Sequence, residues 1–200
     1  MSRSVHPASP TRRRGVLSLA LVAGLAVAAV ACGSDSTTDD AVAEAEPAGA
    51  TATPDTLEVV ATDFEFGGLP DAVPVGTEVV FVNDAGRELH ELVAVRLADT
   101  ETRSAGELMA DPAALGAVMG GGEPAMVLLA EPGGEQIVAV GDGTFTEPGR
   151  YLLVCAIPTG ADPAEYLAAA AASTGGPPQV AGGAPHFAHG MFAELEVVAS

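Results

Sequence analysis

From Thr56 onward the chain is a succession of short, apolar, β-branched segments, each stopped by glycine or proline within a few residues. Residues 57–62 come first, with Phe64 and Phe66 alternating just beyond them. Residues 77–82 follow a Pro74-Val75-Gly76 turn, and residues 89–97 form the longest run. Segments 125–130 and 136–140 flank Pro132-Gly133-Gly134, and 151–156 and 191–198 complete the set. Runs of this length, bounded by turn residues, read as strands. Their number and spacing predict an all-β sandwich or barrel.

Two stretches break the rhythm. Between residues 99 and 122, Ser104 and Glu107 have the spacing of a capping box. Asp111-Pro112 then reads as an N-cap followed by proline in the first turn, with Gly120 as the stop. Between residues 158 and 185, Asp162-Pro163-Ala164-Glu165 is a second start. Residues 166–173 favour helix, and Thr174-Gly175-Gly176 ends it. The expected fold class is therefore all-β with two helical insertions.

The N-terminal region has another logic. Arg12, Arg13 and Arg14 precede an unbroken small-apolar run, residues 15–31, that ends at Cys32. A positive start, an apolar core and small residues before the break predict an export signal. A retained anchor is the alternative, although a run of 17 residues lies at the lower limit for spanning a bilayer. Ala29-Val30-Ala31-Cys32-Gly33-Ser34 resembles a bacterial lipoprotein cleavage site, which implies that Cys32 is acylated and becomes the mature N-terminus. Arg13-Arg14-Gly15-Val16-Leu17 also resembles a twin-arginine signal. Beyond Cys32, small, acidic and proline residues without apolar periodicity predict a disordered tether. The expected organisation is 1–31 export signal, 32–55 lipidated cysteine and acidic tether, and 56–200 the folded domain. Its location would be the outer face of the bacterial cytoplasmic membrane.

Charge and cysteine count narrow the function. The chain has no lysine, and four of its eight arginines precede Cys32, whereas all 27 acidic residues follow it. So acidic a domain will not bind nucleic acid or anionic lipid by electrostatics; it suits basic partners and cations, or simply solubility. With Cys32 lipidated, Cys155 is the only other cysteine in an oxidising compartment and has no partner within the chain. It is either an inert core residue or a metal or redox group.

The processed chain has three histidines: His90, His186 and His189. His90 lies in an apolar strand. The other two occupy Pro185-His186-Phe187-Ala188-His189-Gly190-Met191, just before the last strand, and Cys155 ends the preceding one. Two imidazoles, one thiolate and one weak thioether form the trigonal blue-copper ligand field, whereas zinc prefers a tetrahedral set without methionine.

Gly149-Arg150-Tyr151-Leu152-Leu153-Val154-Cys155 resembles the strand of plastocyanins that runs from glycine through tyrosine to the ligand cysteine. Pro185-His186-Phe187-Ala188-His189-Gly190-Met191-Phe192 resembles the plastocyanin and pseudoazurin loop, in which proline precedes the ligand histidine and Gly-Met follows. Asn83 through His90 to Val93 resembles their first-ligand segment. The resemblance spans residues 56–200 and implies a cupredoxin. That family has a Greek-key β-sandwich holding one type 1 copper, here through His90, Cys155, His186 and Met191, with His189 at the rim. The sequence departs from the family in three ways. Thirty residues separate Cys155 from His186, where the family has only a few. Glu91 stands where plastocyanins often carry an asparagine that ties the ligand loops. The insertion at 99–122 is additional.

The resemblance implies a membrane-tethered carrier of single electrons by Cu(I)/Cu(II) cycling, with a basic redox partner such as a c-type cytochrome or an oxidase. The membrane would be reached only through the lipid on Cys32. The alternatives are a copper chaperone or buffer and a metal-free cupredoxin-like interaction module. No enzyme is expected: multicopper oxidases and copper nitrite reductases need further histidines, and one site leaves a single histidine over. In cupredoxins the loops from ligand cysteine to methionine lie at the end where electrons enter, which places the second helix near the copper.

Overall fold

The computed structural model describes residues 55–84, 86–173 and 176–200. The expected export signal, Cys32 and nearly all of the tether lie outside the described residues.

Alternation of exposed and buried positions sets the first strand. In β1 (Thr56–Thr62), Leu57, Val59 and Ala61 face inward. The chain turns through Asp63 and Phe64 into β2 (Glu65–Gly67), antiparallel to β1 with Val60 opposite Gly67. A short strand that the turn residues obscured, β3 (Ala72–Pro74), pairs in parallel with the last strand of the fold. β4 (Glu78–Val82) then returns to lie parallel to β1. The small sheet is therefore β2-β1-β4.

The large sheet runs β3-β9-β8-β5-β6-β7. Its strands are β5 (His90–Arg96), β6 (Met126–Ala130), β7 (Ile137–Val140), β8 (Gly149–Val154) and β9 (Phe192–Val198), besides β3. Apart from the β3–β9 pair, its neighbours are antiparallel. The main core fills the space between the sheets. Val59, Val79 and Phe81 from one face meet Leu92, Ala94, Leu128, Leu153 and Leu195 from the other. Backbone bonds from Gly76 to Phe145 (2.8 Å), Phe145 to Thr77 (3.0 Å) and Val79 to Gly143 (2.8 Å) tie β4 to the large-sheet side. The result is a mostly-β sandwich with mixed sheets.

The strand β5 is buried at six of its seven positions, because both of its faces are covered. Leu92 and Ala94 point into the sandwich. Val93 and Val95, with Leu152 and Val154 of β8, point the other way. Each such side chain left in water would forfeit about 1.5–3 kcal/mol, and the first insertion covers them. Its helices are α1 (Ala105–Met109) and α2 (Pro112–Met119). The Ser104–Glu107 capping box forms, and Asp111 caps α2 through the backbone N–H groups of Ala113 and Ala114. Proline at the start of α2 lacks the N–H that a continuous helix would need there, so one insertion holds two helices. The second insertion holds α3 (Pro163–Ala172), capped by Asp162, with Tyr166 as its buried residue. No helix among the described residues is long and apolar enough to cross a membrane.

Candidate metal centre

Three neighbouring strands of the large sheet converge at one end. His90 opens β5, Cys155 follows the last residue of β8, and Met191 precedes β9. Register levels these ends: Val93 lies opposite Val154, and Val154 opposite Phe192. Beneath them, Tyr151 anchors the start of β8. Its hydroxyl donates to the carbonyl of Glu147 (2.8 Å), the back-bond of a tyrosine corner.

The thirty-residue connection after Cys155 does not spread the site, because its two ends are stitched together. Phe187 N–H donates to the Cys155 carbonyl (2.9 Å) and His186 N–H to that of Ile157 (3.0 Å). Pro158 bridges Pro185, Thr159 N–H donates to Ala184 O (3.0 Å), and Gly183 N–H donates back to Thr159 O (2.8 Å). The insertion thus hangs from a hydrogen-bonded neck. His186 then begins a single 3₁₀ turn, His186–His189, which Gly190 closes at φ 112°, a left-handed value that glycine adopts without strain.

His90, Cys155 and His186 are each 0% exposed. The two Nδ1 atoms lie 3.1 Å apart, and the Cys155 Sγ is 3.3 Å from His186 Nδ1. One ligand atom from each of the three residues falls within 4.8 Å of the others. Met191 is also fully buried, and its backbone brackets the site: its N–H donates to the His186 carbonyl (3.2 Å) and its carbonyl accepts from Cys155 N–H (3.1 Å). His189 is exposed, its ring 4.9 Å from that of Phe64. The structure therefore gathers His90, Cys155 and His186, sets Met191 in the core beside them, and leaves His189 at the surface.

Burial lowers the pKa of both His90 and His186, so the imidazoles favour the neutral, ligating form. Desolvation first, then the nearby Glu91 charge, pushes the Cys155 thiol up. A bare thiolate is therefore unfavourable here, whereas a metal ion would deprotonate it outright.

Of the polar groups around these donors, sequence reasoning singled out Glu91 and missed Glu88, Asp63 and Tyr166. Glu91 ties these segments together. Its N–H donates to Cys155 Sγ (3.4 Å), and its carboxyl accepts from Ala156 N–H (3.0 Å) and from the Tyr166 hydroxyl (2.9 Å). Desolvation pushes the Glu91 carboxyl up to about 7, against the opposing pull of those two hydrogen bonds. Glu88 Oε2 lies 3.0 Å from His186 Nε2, and Asp63 Oδ1 lies 3.4 Å from His90 Nε2. The signal for Glu88 and Glu91 was present, since two carboxylates flank His90 in a run that is otherwise apolar. Asp63 carried none, being 27 residues away. Asn83 fixes the approach to β5 by donating to the carbonyls of Glu88 and Ala130, both at 2.9 Å. Gly86 passes so close that a Cβ there would meet the Asn83 carboxamide and lie 2.9 Å from the His90 ring.

The donor set fits a metal ion. Ordinary metal–nitrogen lengths of about 2.0–2.1 Å and metal–sulfur lengths of about 2.3 Å let one ion touch all three atoms at the observed separations. Two imidazoles with a thiolate are a copper-type set, and a thioether would complete it.

No protein-family model matches the chain, and no curated protein matches it. Among solved structures the chain is similar to dithionite-reduced auracyanin from the photosynthetic bacterium Roseiflexus castenholzii. The identity is 20% and the TM-score 0.39, over 72% of this chain and 96% of that one. It is also similar to auracyanin A, a "blue" copper protein from the green thermophilic photosynthetic bacterium Chloroflexus aurantiacus. There the identity is 19% and the TM-score 0.37, over 73% of this chain and all of that one. For auracyanin B the values are 18% and 0.33, over 74% and 93%.

Proposed function

We propose that the chain is a membrane-tethered type 1 (blue) copper protein that carries single electrons. The observation that carries this reading is the convergence of His90 Nδ1, His186 Nδ1 and Cys155 Sγ from three fully buried residues. Copper, when bound, supplies a one-electron Cu(I)/Cu(II) couple. His90 and His186 hold it through Nδ1, Cys155 gives the thiolate, and Met191 offers the thioether. The hydrogen-bonded strand ends keep the donors in place, which suits a site that must serve both oxidation states with little rearrangement. Complete burial of the three donors favours an ion that stays while the electron moves, over a chaperone that must hand the ion on.

The remaining parts of the reading come from the sequence. Cleavage before Cys32 would leave a lipid-anchored carrier on the outer face of the cytoplasmic membrane, with residues 32–55 as its tether and 56–200 as its copper domain. The acidic surface suits a basic redox partner such as a c-type cytochrome or an oxidase domain. Mass spectrometry of the mature chain tests the anchor: an unmodified Cys32 removes it.

Spectroscopy tests the centre. Oxidised protein is expected to bind about one copper per chain and to show strong visible thiolate-to-Cu(II) charge transfer. Cys155→Ser and His186→Ala abolish that band with the sandwich still folded, whereas His189→Ala leaves it nearly unchanged. A colourless, copper-loaded, oxidised wild type rules out the type 1 assignment.

A further inference from the structure

Both imidazoles of the centre present Nδ1 inward, and each has a carboxylate at its outer nitrogen. The two carboxylates are not equivalent. Glu88 Oε2 is 3.0 Å from His186 Nε2, within the normal hydrogen-bond range. That same oxygen accepts from Gly160 N–H (2.7 Å), on the neck of the second insertion, and the backbone carbonyl of Glu88 is held by Asn83. The carboxylate is thus fixed from two sides before any ion arrives. Burial alone would raise its pKa, but the bonds from Gly160 and His186 outweigh that and hold it below the usual carboxylate value. Asp63 Oδ1 is 3.4 Å from His90 Nε2, beyond the normal range. Its charge is engaged elsewhere: Oδ1 accepts from Arg87 N–H (2.8 Å) and Oδ2 pairs with Arg87 Nε (3.0 Å).

We propose that Glu88 is a positioning residue of the metal centre. By accepting from His186 Nε2–H, it holds the proton on the outer nitrogen, presents Nδ1 bare to the ion, and strengthens His186 as a donor to the more highly charged oxidation state. Asp63 acts in the same sense on His90, but weakly. The proposal rests on the copper reading for its redox consequence, though not for its tautomer.

Tautomer logic makes it specific. A metal-ligating imidazole needs its other nitrogen protonated, and an outer acceptor selects that form and raises ligand basicity. Two bare Nδ1 atoms 3.1 Å apart repel unless a cation or a proton lies between them. In the metal-free protein the stronger carboxylate therefore decides where the shared proton sits. His186 keeps Nε2–H toward Glu88, and His90 carries Nδ1–H, donating to His186 Nδ1. Removing the Glu88 carboxylate leaves Asp63 as the remaining outer acceptor, so the pair flips: His90 becomes Nε2–H and His186 becomes Nδ1–H.

Nitrogen-15 NMR of the metal-free full chain reads this directly, and copper binding reads its consequence. For Glu88→Ala the flipped tautomers are expected, with Cu(II) affinity about 10–100-fold lower and Cu(I) affinity reduced less. The midpoint potential then rises by about 59 mV for each tenfold difference between the two losses. Glu88→Gln keeps an acceptor oxygen, so it keeps the wild-type tautomers and raises the potential less. Asp63→Asn has the smallest effect. Equal losses for both copper states in Glu88→Ala, with no change of potential, would reduce Glu88 to a loop contact and overturn the proposal. So would a wild-type His186 protonated on Nδ1. A wild type that binds no copper but flips its tautomers in Glu88→Ala would overturn the copper reading and leave the positioning role standing.

Discussion

The two helical insertions differ in how they attach to the sandwich, and the difference separates stability from site control. The first, with α1 and α2, lies against the outer face of β5 and β8. Leu108, Ala105, Ala114 and Leu115 pack on Val93, Val95, Leu152 and Val154. Its polar attachments run through Glu194 and Arg150. Glu194 of β9 accepts from Ala105 N–H (3.1 Å) and from Arg150 Nε (2.7 Å), and Arg150 reaches the carbonyls of Glu101 and Arg103. The second insertion sends in Tyr166, whose hydroxyl meets Glu91, the residue whose own N–H reaches Cys155 Sγ. Its neck supplies Gly160 N–H to Glu88. One insertion covers the outer face of a sheet with apolar area; the other packs on the main core and adds polar contacts that lead to the centre. An expectation from the sequence placed the second helix near the copper, and Tyr166 is indeed one hydrogen bond from a residue adjacent to His90.

The largest expected effect tests the apolar half of this contrast. Leu108→Ala empties a fully buried position and should cost about 2–5 kcal/mol in denaturant unfolding, without moving the visible band of the copper-loaded protein. A displaced band would show that α1 communicates with the site and would break the comparison.

Tyr166→Phe should behave in the opposite way. Losing the donor to a buried carboxyl costs about 1–3 kcal/mol, less than the leucine truncation. Yet the band and the midpoint potential should shift, because Glu91 loses a restraint while its N–H faces the thiolate. Unchanged spectra with the full stability loss would make α3 as passive as α1.

The smallest effect concerns acid. Side-chain hydrogen bonds from Arg103 bring the Glu101 carboxyl down to about 2, and those from Arg150 hold Glu194 below the usual carboxylate value. The backbone N–H of Ser104 does the same for Glu107. Folded values below unfolded ones mean that this stabilisation is present above about pH 4.5 and fades as pH falls toward 2. Hydrogen exchange at pH 3, corrected for intrinsic rates, should therefore show α1 opening more readily, relative to β5, than at pH 6. Equal protection at both values would mean that the apolar contacts alone hold the insertion.

Much of this protein was legible locally. Short apolar, β-branched runs marked β1 and β4, and Gly and Pro marked the turns. Asp111-Pro112, Asp162-Pro163 and the Ser104–Glu107 pair marked the helix starts, because capping is decided within four residues. The short strand β3 was not legible, since its pairing partner β9 lies more than a hundred residues on. The residues that the structure gathers, and their order along the chain, were written in the sequence as well, down to the proline before His186 and the Gly-Met after it.

What the sequence by itself determined was the inventory: a β-sandwich pattern and, within residues 56–200, one thiol, three imidazoles and a thioether just before the last strand. Only the tertiary structure decided that a thirty-residue connection closes on itself at Pro158 and Pro185, so that Cys155 and His186 meet at 3.3 Å. It also decided that Glu88, Glu91, Asp63 and Tyr166 surround the donors. Strand and helix signals arise from neighbours in the chain, whereas hydrogen bonds to a buried imidazole or thiol depend on register and on loops returning to the same point. Asp63 and His90 are 27 residues apart, and Glu91 and Tyr166 are 75; no local pattern carries such distances, and folding alone brings these groups together.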